Sequence, residues 1–341
     1  MAIGPRHLCA TMRNRCKRFV KWGLATLRWD AVLLARMRRN GSCVVLNFHR
    51  VNPHPNPYWP AIHPNHFDQL LGFVVKQFDV VAISHLGSIQ TRRTEKPPAV
   101  LSFDDGYLDF LQFASPILNK HHIRANLNII PSCVESGMPP WNILLYDLLD
   151  SMHSSAVRSI TLPGFTDTLK SDDFSEKARF GASIAGFLKN RPRQERLSIF
   201  NAFFSRFAES AFPVTAMMNR DQLKSIAIDH DIGAHSYHHE SMGYETDSFF
   251  EADVQSCKTY FEDVLRTPCR YYAFPNGSYR REHIKLLRER GFERALLVDE
   301  RYAKVSSFEL PRFTISADSI RELKLQSVGY RAKIYANSNT D

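Results

Sequence analysis

The chain has no Cys-x-x-Cys pair, and its six cysteines (Cys9, Cys16, Cys43, Cys133, Cys257 and Cys269) form no compact framework. That argues against a disulfide-stapled scaffold and favours reduced thiols in a cytosolic setting. No apolar run approaches the roughly 18–20 residues that a membrane-spanning helix needs. An apolar h-region is also missing near the start, where Arg13, Arg15, Lys17, Arg18 and Lys21 interrupt it, so no signal peptide is expected. Internal repeats, low-complexity blocks and RNA-recognition or zinc-finger patterns are absent as well. Acidic residues are scarce in one place only. Residues 1–50 hold 11 Lys and Arg against a single acid, Asp30, whereas the rest holds 33 basic and 34 acidic residues. The net charge of +9 is therefore an N-terminal property, and nucleic-acid binding is not expected.

What remains is an ordinary globular composition, 44% hydrophobic over 341 residues, enough for one large barrel or two domains. Residues 10–39 set Phe19, Val20, Leu24, Leu27, Trp29 and Val32 among arginines at helical spacing. Such a helix either lies on an anionic membrane surface, here the inner face, or packs on the domain with its basic face solvated. Gly41-Ser42 ends it. Cys43-Val-Val-Leu-Asn-Phe48 is then a strand buried on both faces, closing in His49-Arg50 and a loop rich in Pro and Asn. Pro64 to Phe78 shows the periodicity of an amphipathic helix and Asp79 to Ile83 that of a short strand.

Everything turns on Val100-Leu-Ser-Phe-Asp-Asp-Gly-Tyr107. An apolar run stops at two adjacent carboxylates and a glycine, as expected where a buried strand ends in a tight turn. Reactive groups of parallel α/β architectures stand at such strand ends. Two neighbouring carboxylates repel, so keeping both ionised calls for a cation or a hydrogen-bond cage; a plain capping pair is the alternative. Helix and strand signals alternate to Ile130, implying a parallel sheet with covering helices. Residues 141–212 are helical in pattern and predict an insertion, after which strand signals return. His235 and His239 stand four apart, so a helical or turn conformation points both imidazoles the same way. Two histidines and a carboxylate make a three-ligand set for a zinc-like ion with room for water, and a second carboxylate can act as base. His238 is expected to face elsewhere.

With those residues in view, a family resemblance emerges. Ser102-Phe-Asp-Asp-Gly-Tyr107 resembles the first motif of the polysaccharide deacetylases (the NodB-homology domain, carbohydrate esterase family 4). His235-Ser-Tyr-His-His239 is similar to the family's metal motif, and Tyr271-Tyr-Ala-Phe-Pro-Asn-Gly277 to its third motif in the Pro-x-Gly branch. Phe48-His49-Arg50-Val51 resembles the opening of deacetylases from exopolysaccharide and envelope-glycan clusters. The resemblance implies a distorted (β/α) barrel of fewer than eight strands, with Asp104 as general base and Asp105, His235 and His239 as ligands to zinc, or to cobalt or nickel. The implied reaction is hydrolysis of N-acetyl groups on amino sugars of a glycan or glycolipid, with the Asn276 backbone N–H at the oxyanion. Two family features are missing. Ala273 stands where an arginine orients the base, and Arg312 is the expected substitute. The late Leu-x-His acid is absent too; His283, the one later histidine, is expected on a surface helix, which leaves His49 to protonate the amine or line the cleft. The expected division is a basic segment over 1–42, a deacetylase barrel over 43–330 including an insertion at about 141–215, and a loose tail over 331–341. A sugar O-acetyl esterase and a catalytically weak glycan-binding protein of the same fold remain alternatives. The expected location is cytoplasmic, peripheral at the inner membrane face.

Overall fold

The computed structural model describes residues 29–54, 56–89, 95–207, 211–330 and 332. Of the basic helix expected over 10–39, only the end falls among these, as α1 (Trp29–Asn40), followed by Gly41 at a left-handed φ of 60°. Residues 1–28 and nearly all of the expected tail lie outside them. No helix among the described residues is long and apolar enough to cross a membrane.

Among the described residues ten short strands make one sheet: β1 (Ser42–Phe48), β2 (Asp79–Val80), β3 (Pro98–Asp105), β4 (Asn126–Ile129), β5 (Asp231–Ala234), β6 (Tyr271–Ala273), β7 (Arg294–Leu297), β8 (Ala303–Lys304), β9 (Glu309–Pro311) and β10 (Phe313–Thr314). The order is β10-β1-β3-β4-β5-β6-β7-β9, with β2 beside β3 and β8 beside β1. All pairings are parallel except β1 with β8. Strands β9 and β10 stand at opposite ends of that order yet are separated in sequence by Arg312 alone. The chain thus ties one end of the sheet to the other, and the result is a nearly closed barrel. The strand expected over Asp79–Ile83 is cut to two residues because Ile83–Ser88 winds into a 3-10 turn.

Parallel neighbours need crossovers, and helices supply them. First come α2 (Pro64–Gln77) and α3 (Ser115–Lys120). Between β4 and β5 the chain departs into α4 (Pro131–Ser136), α5 (Trp141–Ser151), α6 (Ser154–Arg158), α7 (Phe174–Lys189) and α8 (Arg193–Phe207). These helices have a core of their own around Trp141, Leu145, Phe180, Ile184 and Phe200, which also takes in Tyr58 and Tyr107. The barrel resumes through α9 (Arg220–Ile226), α10 (Asp247–Tyr260), α11 (Arg281–Glu289) and α12 (Ile320–Ser327). Asn219 and Gln222 form a reciprocal capping box that starts α9.

Strand alternation sorts the core. Val44, Leu46, Phe48, Leu101 and Phe103 pack with the helices, while Cys43, Val45, Val100, Leu296 and Leu310 fill the other face. Farther along the strands that second face turns polar: Asn47, Ser102, Asn126, Asn128 and Arg312 are all buried. His283 corrects the expectation of a surface position. It is 1% exposed and stacked on Phe250 of α10 with ring centres 4.2 Å apart, because it shares the apolar face of α11 with Ile284 and Leu287.

Gly233 in β5 leaves no room for a side chain, since a Cβ would lie 2.5 Å from Asn128 Oδ1 and 3.0 Å from Tyr271 Cβ. Gly233→Ala is expected to lower unfolding free energy by about 1–3 kcal/mol, measured by urea denaturation, and to disturb the polar layer through Asn128.

Candidate active site

Register places Asp104 opposite Asn128 and Asp105 opposite Ile129 at the C-terminal end of β3. Two consecutive left-handed residues, Asp105 at φ 80° and Gly106 at φ 85°, end the strand. The first is an uncommon conformation for a side-chain-bearing residue and the kind of strain that functional sites hold. Only glycine suits the second, where a Cβ would also crowd Ile129 Cγ2 at 3.2 Å.

The histidine loop follows β5. The His235 amide donates to the Ile129 carbonyl at 2.8 Å, tying it to the neighbouring strand end. Left-handed φ values at Ser236 (60°) and His239 (62°) make residues 235–239 a turn rather than a helix, with the two rings 5.0 Å apart. Both Nε2 atoms lie 3.5 Å from Asp105 Oδ1. The donor atoms of Asp105, His235 and His239 all fall within 4.8 Å of one another. His235 Nδ1 stands 2.9 Å from the Ala273 carbonyl, so it carries the proton and leaves the Nε2 lone pair facing Asp105. Asp105 Oδ2 accepts from Tyr107 Oη at 2.7 Å, whereas Oδ1 is buried without a hydrogen bond. A buried, unsatisfied carboxylate oxygen facing two imidazole nitrogens suits a divalent ion of the zinc class. His238 turns away and lies edge-on to Tyr237.

Asp104 is built differently. Its Oδ1 accepts from Arg312 Nη1 and from Asn128 Nδ2, both at 2.8 Å, and its Oδ2 faces His235 Nε2 at 3.9 Å. Burial alone would raise its pKa; the Arg312 guanidinium and His235 outweigh that and hold it well below the usual carboxylate range. Arg312 is fully buried and reaches further partners: Nη1 to Asn47 Oδ1 (2.8 Å) and Ser102 Oγ (3.1 Å), and Nε to the Leu297 carbonyl (3.1 Å). Asp105 is likewise held low, burial being outweighed by His239 and His235. Burial pushes His239 down to about 3, against the pull of Asp105.

His49, at the end of β1, is half-buried and edge-on to Trp59, with ring centres 5.5 Å apart. Burial lowers its pKa although Asp105 and Asp104 oppose the shift, so it belongs to the same electrostatic field. Asn276 follows β6 in the left-handed region (φ 57°), exposed, its Nδ2 donating to Ser241 Oγ at 3.0 Å. Thus the structure gathers Asp104, Asp105, His235, His239 and Arg312 tightly, sets His49 within their field, and holds Asn276 on the neighbouring loop.

Several supporting residues were not foreseen. Asp253 of α10 accepts from Ser236 Oγ, the Tyr237 amide and Tyr272 Oη, each at 2.9 Å, and burial raises its pKa to about 6. Glu240 receives both terminal nitrogens of Arg196 from α8, at 2.6 and 2.9 Å, fixing the loop just past His239. The polar layer had a visible signal in the alternating asparagines of Ala125-Asn-Leu-Asn-Ile129 and in Asn47. Asp253 and Arg196 carried none, being single polar residues in helical periods.

Residues 203–295 match the family model described as polysaccharide deacetylase. That stretch includes the histidine loop with His235 and His239 and does not reach the Asp104–Asp105 turn. No curated protein matches it in sequence. Among solved structures it is similar to the Streptococcus pyogenes deacetylase PplD in complex with acetate, at 16% identity and TM-score 0.55, covering 84% of this chain and 98% of that one. IcaB from Ammonifex degensii matches at 17% identity and TM-score 0.51, covering 84% and 97%. A de-N-acetylase from Aggregatibacter actinomycetemcomitans matches at 14% identity and TM-score 0.52, covering 82% and 96%. At these identities the likeness is one of fold.

Two consequences are measurable. Arg312→Met strands the Asp104 carboxylate in the interior, and an expected loss of about 3–5 kcal/mol would appear in urea unfolding at pH 7. The second concerns acid. His239 at about 3 and His230, lowered by burial to about 4, are both depressed from 6.5 in the folded chain. The unfolded chain therefore binds protons that the fold refuses. Stability present above pH 6.5 is lost as pH falls towards 4, by about 1.4 kcal/mol per pH unit for each histidine. Unfolding midpoints in EDTA between pH 7.5 and 4 check this, and His230→Gln should flatten the slope.

Proposed function

We propose that this hydrolase of carbon–nitrogen bonds is a metal-dependent deacetylase that removes N-acetyl groups from amino sugars of a surface glycan or glycolipid. The observation that carries the reading is the division of labour between neighbouring carboxylates. Asp105 turns an unsatisfied oxygen towards two imidazoles, while Asp104 is anchored through Oδ1 and keeps Oδ2 free beside them. Asp105, His235 and His239 would hold the ion. When bound, it would polarise the acetyl carbonyl and acidify a water.

The chain's own residues do the rest. Asp104, kept ionised by Arg312 and aimed by Asn128, takes the proton of the attacking water at Oδ2. Arg312 stands in for the family's missing base-orienting arginine, reaching Asp104 from the seam between β9 and β10. The Asn276 backbone amide stabilises the developing oxyanion from the β6 loop. His49 lines the cleft at the end of β1 and passes a proton to the departing amine. The barrel over about 43–330 is the catalytic unit. The basic segment over 10–39 holds it at the inner membrane face from the cytoplasm, a role supported by its run of arginines.

Acetate release from N-acetylated glycans by zinc-loaded protein is the direct test. Asp104→Asn should cut the rate by roughly 10²–10⁴-fold without loss of bound zinc. Zinc at 100 times its dissociation constant should stabilise the chain by about 2.7 kcal/mol, and His235→Ala should abolish that gain in thermal unfolding. Zinc stabilisation without acetate release from any glycan would instead favour a binding protein of this fold.

A further inference from the structure

Tyr107 joins two parts of the molecule that lie far apart in the sequence. It is 1% exposed, and its ring belongs to the apolar core of the helical insertion. The chain returning from that insertion fixes it from the backbone side. Tyr107 bridges to Met217, the Leu108 amide donates to the Ala216 carbonyl at 2.9 Å, and the Met218 amide donates to the Gly106 carbonyl at 3.1 Å. Arg50 lies over the ring, 5.3 Å from its centre, and is itself pinned to Asp109 at 2.7 Å. The hydroxyl held in this way donates to Asp105 Oδ2 at 2.7 Å. The two oxygens of Asp105 therefore differ. Oδ2 is taken by a buried donor, whereas Oδ1 has no hydrogen bond and lies 3.5 Å from Nε2 of both His235 and His239. A carboxylate with both oxygens free can close on an ion through both and use up a position that a reacting water needs. A buried phenol on one oxygen withholds it and fixes the direction of the other.

We propose that Tyr107 is a positioning residue for the metal, making Asp105 a one-oxygen ligand through Oδ1 and so keeping a coordination position open for water. This rests on the metal reading above, and it makes the insertion, which seats Tyr107, a determinant of how tightly the barrel holds its ion. Tyr107→Phe keeps the ring and removes only the hydroxyl. Two measurements on the full chain test it: zinc affinity, by competition with a chromophoric chelator, and the visible d–d spectrum of Co²⁺-loaded protein, which reports the ligands around the ion. Loss of the hydrogen bond behind a ligating carboxylate should weaken zinc binding about tenfold to a hundredfold and shift the Co²⁺ bands. Cooperative thermal unfolding in EDTA shows that the variant is folded. X-ray absorption of zinc-loaded wild type tests the same claim without a substitution, since it separates one-oxygen from two-oxygen carboxylate binding. Unchanged zinc affinity in Tyr107→Phe, weaker binding with unaltered Co²⁺ bands, or two-oxygen binding in wild type would overturn the proposal. His235→Ala tells the two readings apart. Zinc held through His235 but indifferent to Tyr107 sinks this proposal alone, and a wild type that takes up no zinc sinks the metal reading and this proposal with it.

Discussion

A buried ion pair, Asp104 with Arg312, governs this molecule. Both partners are almost wholly buried, so each would be costly alone, and together they are tolerable only because the remaining donors and acceptors nearby are arranged around them. Asn47, Ser102 and Asn128 supply that arrangement from three adjacent strands. The apolar filling of one end of the barrel thus gives way to a hydrogen-bonded layer, and the Asp104 carboxylate rests on top of it. A carboxylate held this way has little freedom to rotate. Its ionised state is secured by the scaffold rather than by solvent.

The metal-type triad depends on a second set of supports that come from outside the strands. Asp253 holds the beginning of the histidine loop from α10, and Arg196 holds its end from α8. The loop has left-handed residues at Ser236 and His239, a conformation that persists only when its surroundings over-determine it. The helical insertion is therefore a structural part of the site. Its own core shares Tyr107 with the barrel, and Tyr107 is the residue that binds Asp105.

How much of this was legible in the sequence follows from the range of each interaction. The paired aspartates announce themselves because an apolar run ends on them, and the histidines because they lie four apart. The alternation of strand and helix gives the barrel its class. Arg312 was accessible only through the gap left by Ala273 in a familiar motif. What local pattern cannot carry is pairing at a distance. Arg196 looks like any polar residue of an amphipathic helix until Glu240 meets it, and His283 looks solvent-facing until Phe250 covers it. Three of the five residues expected in the strand Asp79–Ile83 were lost for the opposite reason, since a local 3-10 turn overrode a β-like composition.

The seam at Arg312 also sets an order of events during synthesis. Asp104 and Arg312 are 208 positions apart, and the arginine emerges only when most of the barrel has already left the ribosome. Until then the nascent sheet has an open side and a carboxylate with no countercharge, which opposes its burial. The long loop closure that joins β10 to β1 is the step that neutralises it. Completion of the barrel and pairing of Asp104 are consequently a single late event, so an unfinished chain carries the paired aspartates without the arginine that settles their charge.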